Sequence, residues 1–422
     1  MTTRPQALLY ILLSVYMFAF FFLSIRSGWE IPLYIAFIPA VWMEFRSPLP
    51  AGSRRYFYRV LALMVIFVSL NLLSAYFAYD APGMEFSHRQ SSYFKGVVLA
   101  FVVGLGIRDR RSLNRFITAL LASFGIWMSL ELVNYVFLFV DPVDGGKRLV
   151  GFRNYNPNIL AFQLVIFLSF YLTYAFDNRR KLITLFTGGG AALALFLLFL
   201  TGSRNGWVTV LVVTMPASLV FSGPKGNLKK RAIAALMVFL LTASVGYFYW
   251  FKYARPERRS FSSINSRVIH WQAAAEVIKE GPWYRVVIGQ GSIKKVLKKM
   301  HAKWPLDGKV HNIIRHAHNT SLQVLLETGF LGWLNLAAVW LLLFMKTLSN
   351  WLKNTAGGDL EPALLVALLS IPVLSLVDHV LWHVVGMNCW LVVGLALARV
   401  RVNELERVEN GSHLTSRVTF TG

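Results

Sequence analysis

Apolar runs of near-bilayer length, separated by short basic clusters, recur from one end of this 422-residue chain to the other. A transmembrane helix needs roughly 20 consecutive apolar residues. Runs of that kind lie near 7–24, 29–44, 57–79, 92–107, 115–140, 157–176, 182–201, 206–222, 232–251, 321–346, 361–379 and 383–400. Composition agrees with that pattern. The chain is 56% hydrophobic and only 15% charged, where a soluble domain carries about 25% charged residues; mean hydropathy is +0.52. The expected fold is all-α: a polytopic membrane protein with about 12 transmembrane helices. No internal repeat is evident.

The basic clusters orient these spans, because loops rich in Lys and Arg stay on the cytoplasmic side. Arg46, Arg54 and Arg55 follow span two, and Arg108, Arg110, Arg111 and Arg115 follow span four. Arg179, Arg180 and Lys181 follow span six; Lys225, Lys229, Lys230 and Arg231 follow span eight. Lys346 and Lys353 follow span ten, and Arg399, Arg401 and Arg407 follow span twelve. Every even-numbered gap is basic, so both termini are expected in the cytoplasm of a bacterial inner membrane. The first apolar run lacks a small-residue cleavage site and is followed at once by more spans, so no cleavable signal peptide is expected. The organisation expected is spans one to nine over 1–251, one large periplasmic loop over 252–316, spans ten to twelve over 317–402, and a polar, disordered cytoplasmic tail over 403–422.

The loop from Lys252 to His316 holds fourteen Lys plus Arg against four Asp plus Glu, a net charge near +10. Long loops escape the orientation rule. A cationic surface just outside the bilayer attracts phosphate-bearing lipids or glycans; a merely solvated basic face is the plainer reading. Within the loop, "NSRVIHWQAAAEVIKEGPW" is helical in pattern. Ser266 can cap it, and Val268, Trp271, Ala275 and Ile278 form an apolar face. Gly281 and Pro282 end it, and a second basic helix, Ile293 to Lys299, follows the turn "GQGS". The formal charge of +23 does not point to nucleic acid, because the cations sit between spans, where orientation and membrane lipids account for them. A single cysteine, Cys389, excludes an internal disulfide and a cysteine metal cluster.

Three ionisable residues stand at span ends on the outer side. Arg204, in "LTGSRNGW", lies in a tight gap between apolar runs. A cation there either binds a partner or substrate, phosphate above all, or snorkels to the interface. Arg267 lies one turn before Trp271 in the loop helix, among many arginines. His318, in "HAHNTSLQVLLETGFLGW", opens span ten and can exchange a proton near neutrality; an interfacial histidine is also commonly structural. His311, His316 and His318 lack the i, i+4 spacing of a helical zinc pair, so no metal is expected. Asp378, His379 and His383 form a second cluster between spans eleven and twelve, with Asp378 able to pair with Arg204 or His318.

The order of "GFRNYNPN", "LTGSRNGW", the basic loop with "SINSRVIHW", and "HAHNTSLQVLLETGFLGW" resembles the O-antigen ligase and polymerase superfamily, most closely its O-antigen ligases. The resemblance spans roughly residues 150 to 335. It implies that Arg204 and Arg267 contact the donor pyrophosphate and that His318 activates the acceptor hydroxyl. It implies substrate-side or site-shaping positions for Asn156 and Asn158 of the "NPN" element, for Arg153 beside it and for Asn319 after the histidine. Asp378 and His383 are second-tier candidates. Gly329 and Gly332 match a "GxxG" pair and suggest helix packing.

The implied reaction moves a glycan from undecaprenyl pyrophosphate to a sugar hydroxyl of the lipid A core at the periplasmic face. Two arginines stabilise the departing pyrophosphate without a metal or other cofactor, and the anomeric centre inverts. No paired carboxylates stand on the periplasmic side to hold Mg²⁺. A repeat-unit polymerase would use the same donor with a second lipid-linked glycan as acceptor; the single large loop favours the ligase. A transporter or flippase is the rival of another class, and the gathering of charge at one face argues against it. The glycan, the acceptor sugar and the oligomeric state are not legible.

Overall fold

The computed structural model describes residues 4–22, 30–49, 51–77, 88–137, 149, 157–176, 181–222, 227–237, 240, 262–291, 317–353, 360–376, 378–381 and 383–418. Among them every regular element is a helix and there is no strand. The helices used below are α1 (Arg4–Phe22), α2 (Glu30–Arg46), α3 (Ala51–Tyr76), α4 (His88–Gly106), α5 (Arg110–Phe137), α6 (Pro157–Phe176) and α7 (Lys181–Thr201). They continue with α8 (Arg204–Phe221), α9 (Ser262–Glu280), α10 (Trp283–Ile288), α11 (Thr320–Lys353), α12 (Leu360–Ser375) and α13 (His383–Val418).

Seven of the described helical stretches are long and apolar enough to cross a membrane, in α3, α5, α6, α7, α8, α11 and α13; three shorter apolar stretches lie in α1, α4 and α12. Large apolar side chains face outward along them, among them Ile11, Val65, Ile126, Leu182, Phe199 and Leu341. A surface of that kind suits lipid rather than water. The chain is a multi-pass membrane protein. The ninth expected span, 232–251, falls mostly outside the described residues.

Two helices form the interior. α6 is buried on nearly every side from Leu160 to Thr173, and α13 is buried throughout its apolar stretch, as all-round hydrophobic helices must be. α13 lies tightly along α4 because glycines remove the side chains between them. A Cβ added to Gly394 would fall 3.0 Å from the Cα of Ala100, and one added to Gly96 would fall 1.9 Å from the Trp390 ring. Small residues bring membrane helices together in this way, since dispersion rather than dehydration drives their association. α7 meets α6 similarly, with Gly190 against the Tyr171 ring. Tyr171 then reaches α5, donating its hydroxyl to Leu121 O at 2.5 Å, while Phe124 stacks on Phe167 at 3.9 Å.

One end of the bundle is clamped by buried ion pairs. Arg399 holds Glu361 through two bonds of 2.7 and 3.0 Å, and Arg401 pairs with Glu44 of α2. The sequence counts these arginines with the loop charge after span twelve. They are instead inside α13, with Arg401 completely buried, because the helix continues through Val418 where a disordered tail from residue 403 was expected. Arg108 also reaches Glu44, at 3.4 Å. Burial, and then the neighbouring Arg401, pulls its guanidinium down to about 10.

α11 is broken once. Gly329 has φ +69° and ψ −175°, so Thr320–Thr328 forms a separate first segment. The break admits the turn that follows α10: Gln290 N–H donates to Leu326 O at 2.6 Å, and a Cβ at Gly329 would fall 2.2 Å from Val287 O. Gly329 therefore serves the break and the close approach of the backbone at the end of α10, a more specific role than its "GxxG" spacing suggested. Gly329→Ala should lower stability by about 2–4 kcal/mol, since a left-handed conformation costs about 1–3 kcal/mol and the new Cβ meets backbone that cannot move aside. The thermal unfolding midpoint in detergent should fall by several degrees. Gly188→Ala and Gly189→Ala, where nothing lies within 4 Å, should leave it within about a degree.

Candidate functional site

The C-terminal end of α12 presents carbonyls with no helical partner, as every helix end does. Two asparagines far apart in the chain supply donors. Asn205 Nδ2 donates to Leu374 O at 3.2 Å, and Asn319 Nδ2 donates to Leu376 O at 2.8 Å. Asn205 is the second residue of α8 and follows Arg204; Asn319 stands just before α11 and follows His318. At the opposite end, Trp351 Nε1 donates to Phe221 O at 3.2 Å, so α8 and α11 start together and finish together. Arg204 and His318 are thereby delivered to one end of the bundle.

Local chemistry starts each helix there. Ser203 caps α8 by accepting from Gly206 N, with Gly202 at φ +61° turning the chain out of α7. Asn319 Oδ1 accepts from Leu322 N at 3.0 Å and caps α11. His318 stands outside that helix at φ +48°, a left-handed conformation that histidine tolerates better than most residues. The Thr320 hydroxyl donates to Asp378 O at 3.1 Å and accepts from Val380 N at 3.0 Å, pinning the turn between α12 and α13 against α11.

That turn brings Asp378 to His318. Asp378 Oδ1 lies 3.3 Å from His318 Nδ1 and accepts from His379 N at 2.8 Å. Of the two partners open to Asp378 in the sequence, the structure selects the histidine. Beneath this pair lies a buried polar chain. Tyr93 of α4 donates to Glu327 Oε2 at 2.9 Å, and His379 Nε2 lies 3.4 Å from the same hydroxyl. Gln323 donates to Glu327 Oε1 and accepts from Ala317 N at 2.9 Å. Glu327 and His379 are only 2% and 6% exposed, and hydrogen bonding of this kind is what lets such groups remain buried.

α9 closes over the site from the loop. The His270 and His318 rings are parallel within 15°, with centroids 5.0 Å apart, and Trp271 Nε1 donates to His318 O at 3.5 Å. Ala274, completely buried, packs with Ala317 and Leu326. The face turned inward is thus His270, Trp271, Ala274 and Ile278, rather than the stripe through Val268 and Ala275; Val268 and Ala275 are exposed because the helix must present its flank to the start of α11. Arg267 is half-buried one turn before His270, and Arg204 is exposed at the head of α8. Among the described residues no carboxylate pairs with either guanidinium, in contrast to the clamped arginines at the other end.

Asn158 is half-buried at the start of α6. Gly206 of α8 packs near Ala161 one turn further along, and Leu149 N donates to Leu200 O at the end of α7 at 3.0 Å. Arg153, Asn156, His311, His316 and the helix expected over 293–299 lie outside the described residues, as does the side chain of His383, the first residue of α13. Sequence reasoning did not single out Tyr93, Glu327, Gln323, Asn205 or His270. Glu327 alone carried a signal, as an acid within an apolar run; the partners of the others are far away in sequence.

The fold and this end of the bundle define a multi-pass helical membrane protein with a histidine–carboxylate pair at one end, where Arg204 and Arg267 have no carboxylate partner among the described residues. Residues 189–337, roughly a third of the chain, match the family model described as O-antigen ligase. The stretch carries Arg204, Arg267 and His318, and the match agrees with the resemblance carried by the motifs. Members of this family are membrane enzymes of glycosyltransferase type that act on lipid-linked glycans. Compared with the curated proteins, the chain matches none of them.

Tyr93→Phe tests the buried chain. It removes the proton donated to Glu327 and should cost about 1–3 kcal/mol, read as a lower unfolding midpoint with the protein still inserted.

Proposed function

We propose that this chain is an O-antigen ligase. It transfers a glycan from undecaprenyl pyrophosphate to a sugar hydroxyl of the lipid A core, at the periplasmic face of a bacterial inner membrane. About twelve spans carry it, with both termini in the cytoplasm and the basic loop 252–316 outside. What supports the reading is the pair of asparagine caps on one helix end, which follow Arg204 and His318 and bring both to the same end of the bundle, with α9, the helix that carries Arg267, packed on His318.

Arg204 and Arg267 hold the donor diphosphate. Their guanidinium groups bind phosphate oxygens through charge-assisted bonds, and the starts of α8 and α11 add positive dipole ends at the same rim. Asn158 at the start of α6, and Arg153, Asn156 and His383 on the strength of the motif resemblance, are assigned to substrate binding. His318, oriented by Asp378 and carried by the turn that Asn319 caps, accepts the proton of the attacking hydroxyl. The hydroxyl oxygen bonds to the anomeric carbon as the bond to pyrophosphate breaks. The leaving charge develops between the two arginines, which supply without a metal the stabilisation a metal would give. Back-side attack inverts the anomeric configuration, which NMR of the product reads directly.

The test combines purified protein, undecaprenyl-pyrophosphate glycan and rough lipopolysaccharide, assayed by mobility shift with and without EDTA. Transfer is expected in both. Arg204→Ala and Arg267→Ala should each cut it by about 10²–10³-fold, and His318→Ala by about 10²–10⁴-fold. Chain extension without transfer to the core would instead support a repeat-unit polymerase; full activity in any one variant would remove that residue from the site.

A further inference from the structure

The imidazole of His318 needs a defined plane as well as a defined edge. Asp378 approaches its Nδ1 edge at 3.3 Å, and a contact at one edge does not by itself set the plane of a ring. The backbone gives little help, because His318 stands in a left-handed turn outside α11. A second, flat contact on the ring face removes the remaining freedom. His270 supplies it, parallel within 15° and 5.0 Å between centroids, which is offset-stacking geometry.

We propose that His270 is a positioning residue of the transfer reaction. It acts through His318, as a planar wall that fixes the direction of the Nε2 lone pair. The inference rests on the ligase reading for its chemistry, while the stack itself is a feature of the fold. α9 is built to deliver it. Ala274, one turn after His270, is small enough to sit fully buried against Ala317 and Leu326, and that close approach sets the separation of the rings. Trp271 anchors the same turn by donating to His318 O. Asp378 at the edge and His270 on the face together set the orientation of the ring. A basic atom moved by about 1 Å costs an enzyme about 10²-fold. What the stack requires of residue 270 is a flat ring.

The experiment compares His270→Ala and His270→Phe in the full-length protein, with kcat and KM measured for the lipid-linked donor. His270→Ala should lower kcat by about 10- to 100-fold with donor KM within about threefold, and His270→Phe should restore most of it. Added to His318→Ala, His270→Ala should cause no further loss, because a positioning residue has nothing left to position. Phe as poor as Ala, a raised donor KM with unchanged kcat, or a further loss in the His318→Ala background would each overturn the proposal. A parallel measurement does not depend on transfer: the rate at which diethyl pyrocarbonate modifies His318, followed by peptide mass spectrometry. Uncovering the ring face in His270→Ala should raise that rate several-fold, with His270→Phe matching the wild type. Equal rates in all three proteins would dismiss the stack. A normal pattern of rates from a wild-type protein that transfers nothing would instead dismiss the ligase reading and keep the stack.

Discussion

Two amide side chains on one helix end organise the functional half of this molecule. The last carbonyls of α12 have no partner within their own helix. Asn205 and Asn319 satisfy Leu374 O and Leu376 O. Each is the residue after a candidate, so capping the helix also brings the two candidates, Arg204 and His318, to one end of the bundle.

The loop is joined to this assembly through a second backbone device. α11 breaks at Gly329 and opens carbonyls that a regular helix would consume; Gln290 N–H takes one of them at Leu326. The turn at Gly289 and Gly291, both with positive φ, brings the strand of chain after α10 into that gap. Gly291 N then donates to Ser74 Oγ of α3 at 2.9 Å. Held at its far side, α9 has a fixed height over the start of α11. That height determines whether residue 270 or its neighbours meet His318.

The apolar runs were legible because crossing lipid is a demand on local composition, and α6 falls on the span expected of it, residues 157–176. Elements whose shape depends on distant partners were not. Gly329 and Gly332 have the spacing of a packing motif, and only the arrival of Val287 and Gly289 shows why the first must be glycine. The loop helix was legible as a helix, but its buried register was not: Ala274 rather than Ala275 faces inward because the surface it covers belongs to residues 317–326. Asp378 was visible as a suspect and its choice of partner was not, since Thr320 pins the turn that selects His318. Arg399 and Arg401 read as loop cations by position, while their carboxylates sit on α12 and α2, hundreds of residues away in the case of Glu44.

Charge is used differently at the two ends of the bundle. At the clamped end the cations are neutralised within the fold. Arg399 binds Glu361 through both arms of its guanidinium, and Arg401 and Arg108 share Glu44. Such pairs are costly to desolvate and return that cost only through good geometry, so they lock helices and have little capacity left for a ligand. At the α12 end, Arg204 and Arg267 stand near an apolar rim without a carboxylate among the described residues, while the acid nearest the site, Asp378, is turned to the histidine. A buried cation finds its compensation inside the protein; a rim cation without one is free to take it from an anion that arrives. The same residue type therefore locks helices at one end and, on the proposed function, meets an anionic donor at the other, and the difference lies in where the described carboxylates are.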